Sequence, residues 1–343
     1  MPVTVALDGR GAERGAQAVI DGVRGAVADG IRLRVFGDPQ LLGEIATLDG
    51  AELIPAAEEI TNADEPVAAV RGRTDASVVQ AATDVAEGRS AALVSAGSTG
   101  ATMTAALFAL RRMQGVRRPA LALQLPVPAR SGRPLLLLDV GANTEARAVD
   151  LVQFAYLGAS FSAAVLGIET PRVGLLSVGE EQKKGSAEVV EANTRLSEAD
   201  GIEFIGNIEG RDLMGQEADV VVTDGFTGNV VLKTIEGTAK AVADAVRVAA
   251  RSGARAALGG VLLSPALGSL RRQLDPDMTG GAILLGLRGV AVVGHGSSGP
   301  EGIANAVRLA SRAVEQRAVE RTAELLERSG MTRGSMRESR EPA

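Results

Sequence analysis

Five times along the chain a short apolar run leads through a glycine-rich stretch into a helical pattern. Ala91–Ser95 leads through "AGSTG" into "ATMTAALFALRRM", and Leu135–Asp139 through "VGANTEA" into "VDLVQFAYLG". Val173–Ser177 leads through "VGEEQKKG" into "SAEVVEANTRL", and Val220–Thr223 through "DGFTGN" into "VVLKTIEGTAKAVADAV". Gly289–Val293 leads through "GHGSSGPEG" into "IANAVRLASRAVEQRAVERTAELLE". Val3–Leu7, the loop "DGRGAERG" and a helix from about Ala16 follow the same plan, and Ile31–Phe36 reads as a further strand. Short Val and Leu runs without alternation suit strands buried on both faces. Strands alternating with helices predict an α/β fold with a mainly parallel sheet flanked by helices. Each glycine loop then lies at the carboxyl end of a strand, where open sheets bind ligands. The helix that follows presents unpaired N–H groups and partial positive charge. Glycine lets the backbone approach an anion closely. The pattern therefore predicts several loops meeting at one sheet edge around a phosphate-sized group.

One stretch departs from this plan. Val242, Ala245, Val246, Ala249 and Ala250 make an apolar helical stripe, while Lys240, Asp244, Arg247, Arg251 and Arg255 step along another face. "AALGGVLLSPALGSLRRQL" follows, apolar until Arg271 and Arg272. A protruding helical hairpin at about 240–275 is expected. It is either a dimer-forming element with solvated arginines or a basic, apolar contact for a membrane or an acidic partner. Leu262, Leu263, Arg271 and Arg272 are its candidate contact residues. Residues 1–330 are expected to form one two-lobed α/β unit, and the polar, uncapped tail 331–343 to be disordered.

Composition narrows the chemistry. The 343 residues include no cysteine and one histidine, which removes disulfides, thiolate metal sites and a cysteine nucleophile, and leaves no basis for a structural zinc site. The net charge of −6 argues against a general nucleic-acid binder. The start "MPVTVALDGRG" has no basic region followed by a long apolar run, and Ala256–Leu270 is too short and too broken to span a bilayer; a cytoplasmic protein is expected. Only four of the 36 basic residues are lysines, and two of them, Lys183 and Lys184, share one loop with Glu180 and Glu181. That loop is a solvated charge cluster or an anion site.

The other loops carry the same double reading. "SAGSTGA" (95–101), with Gly97, Ser98, Thr99 and Gly100, is a phosphate turn or an ordinary turn capped by Ser98 or Thr99; no P-loop Gly-Lys-Ser/Thr follows. Asp139 at the end of "LLLLD" either caps loop N–H groups or holds a ligand, and Asn143 offers both donor and acceptor. "VVVTDGFTGNVVLK" supplies Asp224, Thr227, Asn229 and Lys233; Asn229 caps a helix or touches an anion, and Lys233 reaches that anion or faces solvent. No G-x-S-x-G is present, which speaks against a serine triad. His295, the sole histidine, sits in the last glycine loop.

The order "SAG-TGA", "LLDVGAN", "GLLSVGEE–KG", "FIGNIEGRDL", "DGFTGNVVLKT-EG", "GGA-LLG" and "HGSS" resembles the bacterial phosphate acyltransferases from about residue 3 to 325. The resemblance implies an enzyme that moves a fatty acyl chain from acyl carrier protein to inorganic phosphate, giving an acyl phosphate for phospholipid synthesis. It implies a homodimer that works at the membrane surface, and a fold similar to phosphotransacetylases and isocitrate-dehydrogenase-like enzymes. No cofactor and no metal is expected. Phosphate is already a competent nucleophile, so no acyl-enzyme is needed, in agreement with the absence of cysteine. His295 is then the candidate donor to the oxyanion or to the departing sulfur, with Lys184 and Asn229 beside it. Gly97, Ser98, Thr99, Gly100, Asp139, Asn143, Asn207 of "FIGNIEGRDL", Asp224, Lys233 and Ser297 of "HGSS" are the expected substrate contacts. The chain departs from the family at its N-terminus, where Asp-Ala-Met-Gly-Gly-Asp reads Asp8-Gly9-Arg10-Gly11-Ala12-Glu13, so Asp8 and Glu13 are given no role. Two alternatives share parts of this picture: a dehydrogenase of the isopropylmalate or phosphohydroxythreonine type, and a non-catalytic membrane scaffold for lipid synthesis.

Overall fold

The computed structural model describes residues 2–130, 133–273 and 276–331. Eleven strands form one sheet: β1 Thr4–Asp8, β2 Arg32–Gly37, β3 Ala51–Pro55, β4 Ala92–Ser95, β5 Ala120–Leu125, β6 Leu135–Leu138, β7 Arg172–Ser177, β8 Glu203–Glu209, β9 Val220–Val222, β10 Ala282–Leu285 and β11 Val290–Val293. The helices are α1 Gly15–Ala28, α2 Pro39–Leu42, α3 Pro66–Gly72, α4 Ser77–Ala86, α5 Thr99–Leu110, α6 Ala148–Val165, α7 Ala187–Ser197, α8 Gly225–Ala250, α9 Ala254–Gln273, α10 Pro300–Glu315 and α11 Ala318–Arg328. The expected α/β class holds, and so does the reason for it. Val5 and Leu7 join the core under α1, α6, α7, α10 and α11, while Ala6 between them joins the core under α3, α4 and α5. Both faces are covered, so the strands read as uninterrupted apolar runs.

Across the sheet the order is β3-β2-β1-β4-β11-β10-β5-β6-β9-β7-β8. The single-edge expectation fails at its middle. β10 is antiparallel to β11 and to β5, and β5 is antiparallel to β6. The β6–β9–β7–β8 half therefore runs opposite to the β1–β4 half. Carboxyl ends of β1, β4 and β11 lie at one edge of the sheet, and those of β6, β7, β8 and β9 at the other. Leu138 shares a row with Ala122, Ile283 and Val292, and from that row the two halves leave in opposite directions. Asp139 and His295 are thus on the order of 20 Å apart, at ~3.3 Å per residue and ~4.8 Å per strand.

The stretch "DGFTGN" is no loop. Asp224 caps α8 by accepting from the Thr227 N–H at 2.8 Å, so the helix begins at Gly225 and Asn229 sits within it. Its glycines serve close approach: a Cβ at Gly228 would lie 1.9 Å from the Asp139 carbonyl oxygen, and one at Gly225 would lie 2.6 Å from that of Asn143. Val231, Leu232 and Ile235 pack onto the sheet, and beyond them α8 leaves the body. It returns as α9, where Gly260 lies against Ala250. The hairpin is longer than 240–275 because α8 is continuous from its cap. Arg271 and Arg272 fall in the last turn of α9, but their side chains lie outside the described residues, as do residues 332–343. Among the described residues one helix, α6, is long and apolar enough to cross a membrane, and 89% of it is buried inside the protein.

Two substitutions in α8 separate contact from propensity. Gly228→Ala is expected to lower unfolding stability by about 3 kcal/mol, since backbone must move to admit a methyl group. Gly237→Ala, with nothing within 4 Å of its Cβ, is expected to raise it by about 0.5–1 kcal/mol through helix propensity. Denaturant titration of both variants gives the comparison; equal effects would remove the close-approach argument.

Candidate functional site

Two loop clusters result, one at each sheet edge. At the His295 edge, the β1–α1, β4–α5 and β11–α10 loops meet. Asp8, buried at the end of β1, accepts from the Ser95 hydroxyl at 2.7 Å and from the Arg10 N–H at 3.1 Å. The Ser95 oxygen accepts in turn from the Gly97 N–H at 3.1 Å and lies 3.0 Å from the Thr102 hydroxyl, which also reaches the Ser98 carbonyl at 2.9 Å. Gly11, at φ +79°, passes so close to Gly97 that a Cβ there would meet its Cα at 2.7 Å. Ser98 caps α5 through the Ala101 N–H. A cleft of about 300 Å³ opens beside it, lined by Gly11, Ala12, Glu13, Glu59, Ile60, Thr61, Asn62 and Ser98. Arg10 faces the carboxylates of Asp38 at 3.7 Å and Glu59 at 3.6 Å.

His295 is exposed on this edge. Its Nδ1 accepts from the Ser297 N–H at 3.2 Å and lies 2.7 Å from the Ser297 hydroxyl. A backbone N–H can only donate, so the neutral ring carries its proton on Nε2. Ser297 therefore orients the histidine, and Nε2–H is the group presented outward. Asp277 accepts from the Gly299 N–H at 2.9 Å and fixes the start of α10. The Glu13 N–H donates to the Gly296 carbonyl at 2.9 Å, which ties the histidine loop to the β1–α1 loop.

At the other edge Asp139 organises everything around it. Fully buried, it accepts from the N–H groups of Leu121, Gly141, Ala142 and Asn143 and from the Asn143 side chain, at 2.8–3.1 Å. Burial pushes its carboxyl upward, and these donors oppose the shift. Asp139 thus caps the loop N–H groups around it. Asn143 donates to the Pro119 carbonyl at 2.7 Å, and its own carbonyl accepts from the Gly225 N–H at 2.7 Å. Asn207 is buried and spends its amide on Asn193 at 2.9 Å and on the Glu181 and Lys184 carbonyls at 2.8 and 3.4 Å. Asp139, Asn143 and Asn207 position loops, and Asp224 caps α8. Lys184 is exposed on the loop that Asn207 holds, and Asn229 is exposed on the first turns of α8. Lys233 is exposed and pairs with Glu236 on its own helix at 2.8 Å.

The structure therefore does not bring His295, Lys184 and Asn229 together within one chain. His295, Ser297, Gly97, Ser98, Thr99 and Gly100 share one edge; Lys184, Asn229, Asp139, Asn143, Asn207, Asp224 and Lys233 share the other. Residues that sequence reasoning missed are Ser95, Thr102 and Asp277. Ser95 closes a strand as Asp8 does, and that shared position was the available signal. Asp277 lies 22 residues from its partner and left none.

A family model described as "Fatty acid synthesis protein" matches residues 3–321. A phosphate acyltransferase of Bacillus licheniformis is 43% identical over 315 residues, 91% of this chain and 94% of that protein. One of Elusimicrobium minutum is 44% identical over 319 residues, 91% and 92% of the two chains. Among solved structures, the phosphotransacetylase EutD of Staphylococcus aureus superposes with a TM-score of 0.58 at 18% identity over 91% of this chain and 94% of that one. A 4-hydroxythreonine-4-phosphate dehydrogenase of Klebsiella pneumoniae gives 0.53 at 13% identity over 92% and 100%. These two likenesses concern the fold.

The Asp8 junction has a pH signature. Burial raises its pKa to about 6, against hydrogen bonds from Ser77, Ser95 and Arg10 that lower it. A carboxyl raised in the folded state contributes stability below the unfolded pKa of about 3.9, and that contribution is lost as pH rises through about 6. Relative to the parent, Asp8→Asn is expected to gain about 2–3 kcal/mol between pH 4 and pH 7.5. Unfolding titrations of both proteins across that range would show parallel curves if Asp8 did not titrate there.

Proposed function

The chain belongs to the fatty acid synthesis protein family, and from that membership we propose that it transfers a fatty acyl group from acyl carrier protein to inorganic phosphate, giving an acyl phosphate for phospholipid synthesis. The observation that carries the chemistry is the His295 loop, with Nε2–H free to donate beside the capped start of α5. Phosphate sits against the Ser98–Gly100 turn, where helix N–H groups and the hydroxyls of Ser98 and Thr99 favour an anion. A phosphate oxygen attacks the thioester carbonyl, the C–O bond forms, and the carbonyl oxygen becomes an oxyanion. His295 Nε2–H stabilises that oxyanion; collapse breaks the C–S bond, and the thiolate departs and takes up a proton. The chain is an acyltransferase, and its own residues supply orientation and charge, with no covalent enzyme intermediate.

The two edges take different parts of one long donor. Met103 and Leu107 of α5, Leu123, Ala142, and Val231, Leu232 and Ile235 of α8 make a strip of half-buried apolar side chains on one sheet face. An extended acyl thioester arm fits such a strip. Lys184 and Asn229 would then hold the donor's polar arm, and the Ser98–Gly100 turn the acceptor phosphate.

The hairpin fits a peripheral contact with an anionic membrane from the cytoplasmic side, as a homodimer. Leu258, Val261, Leu262 and Leu263 are 58–74% exposed along α9, which is more contiguous apolar surface than a solvated helix needs. Arg271 and Arg272 stand at the base of the same element.

His295→Ala is expected to lower kcat by roughly 10²–10³-fold with the fold intact, the range for one oxyanion donor. A loss below about threefold would remove the histidine from the reaction. In the same assay, release of carrier-protein thiol on adding phosphate, Lys184→Ala is expected to raise KM for acyl carrier protein more than KM for phosphate; the reverse order would move phosphate to the lysine edge. Leu262→Glu with Leu263→Glu is expected to abolish sedimentation with anionic vesicles while activity in solution persists. Unchanged sedimentation would return the hairpin to a dimer contact.

A further inference from the structure

We propose that the arginines grouped around the end of α5 and the β10–β11 turn form the docking platform for the acidic acyl carrier protein, an inference that rests on the donor assigned above. Arg111, Arg112, Arg118 and Arg288 are all exposed, in a chain whose net charge is −6. They form one bonded array. The Arg288 N–H donates to the Arg111 carbonyl at 3.0 Å, and its guanidinium Nε to the Arg112 carbonyl at 3.1 Å. Arg112 donates to the Arg117 carbonyl, and Arg118 to the Glu145 carbonyl at 2.9 Å.

The guanidinium groups of Arg112, Arg118 and Arg288 lean on backbone carbonyls. Among the described residues none of the four lies within ion-pair reach of a carboxylate, whereas Arg117 between them is spent on buried Asp150 at 3.0 Å. A carbonyl fixes a side chain and leaves its full charge unpaired, so the array is both rigid and electrostatically unsatisfied. Two further observations point to a partner. Arg111 holds φ +62°, one of two non-glycine residues in that region among the described residues, so the chain accepts strain to turn here. Phe108, one turn before it, is 40% exposed and carries Arg71 stacked over its ring at 5.2 Å. An exposed aromatic with an arginine stacked on it has the composition of a protein-binding hot spot.

Position favours a protein over a lipid surface. The platform adjoins the Asp139 cluster, because Pro119, next to Arg118, accepts from Asn143. The exposed apolar residues of the hairpin, Leu258, Val261, Leu262 and Leu263, are carried on α9, and Asp277, further along the chain, holds Gly299 on the His295 edge. A membrane on the hairpin would leave the arginine edge free for a soluble acidic carrier, whose arm then enters at Asn229 and runs toward His295.

The test is the Arg118→Glu, Arg288→Glu double variant, assayed with acyl carrier protein and, in parallel, with a small acyl-pantetheine thioester. The expected result is a KM for acyl carrier protein raised about tenfold or more, with kcat and the small-thioester reaction retained, and a parent KM that rises with salt while the variant's does not. Arg118→Lys with Arg288→Lys should keep most of the parent's KM, and it preserves a readout if the glutamate pair fails to fold. A KM within about twofold of the parent for the folded glutamate variant overturns the proposal. So does loss of anionic-vesicle binding with carrier KM unchanged, which would make the platform a lipid contact. Failure of the parent itself to use acyl carrier protein would instead overturn the donor assignment and leave the small-thioester reaction standing.

Discussion

The reversal at β5 and β10 is the constraint on which the rest of this molecule depends. A fully parallel sheet would gather every carboxyl-end loop at one edge. Two strands paired antiparallel in the centre turn one half of the sheet against the other. The cost in packing is small, because β5 and β10 are as apolar as their neighbours and both faces stay covered. The consequence for function is large. A substrate that must touch both loop clusters has to be long, and an acyl chain on a carrier's arm is a long, largely apolar ligand. A compact substrate would engage one edge alone.

Each edge is fastened by a buried carboxylate at the end of a strand. Asp139 gathers four backbone N–H groups and an amide, and Asp8 ties the β1–α1 and β4–α5 loops through Ser95. Burial pushes both upward, and the donors around each would be left unsatisfied without its carboxylate. This division of labour explains why so many polar residues near the clusters are loop-holders. Asn143, Asn207 and Asp224 spend their hydrogen bonds on the protein. Left exposed are His295, Ser297 and Thr99 at one edge, and Lys184, Asn229 and Lys233 at the other.

Charge is distributed in the same two-ended way. The chain is acidic overall, yet among the described residues Arg111, Arg112, Arg118 and Arg288 at the end of α5 and the β10–β11 turn have no carboxylate within ion-pair reach and lie beside the Asp139 cluster. The exposed apolar side chains are carried separately, on α9. An enzyme of the proposed kind, taking a soluble protein donor and releasing a lipid-soluble product, would use both surfaces.

Much of this was legible in the sequence. Uninterrupted Val and Leu runs gave doubly covered strands, and the turn before α5 showed its serine cap, because burial and capping act within a few residues. The hairpin announced itself by an apolar stripe with arginines and no acid beyond Asp244. Motif order pointed to the family for the same reason, since each motif is local. Strand direction is another matter. "LALQL" and "AILLG" read alike whether parallel or antiparallel, since the side-chain pattern reports burial and is blind to the sense of the chain. Hence His295, Lys184 and Asn229 looked like one site and stand at two edges. "DGFTGN" likewise looked like a loop, because glycine serves a turn and a tight helix contact equally well. Only the tertiary structure, with the Asp139 carbonyl pressed against Gly228, decided which of these two demands the residue meets.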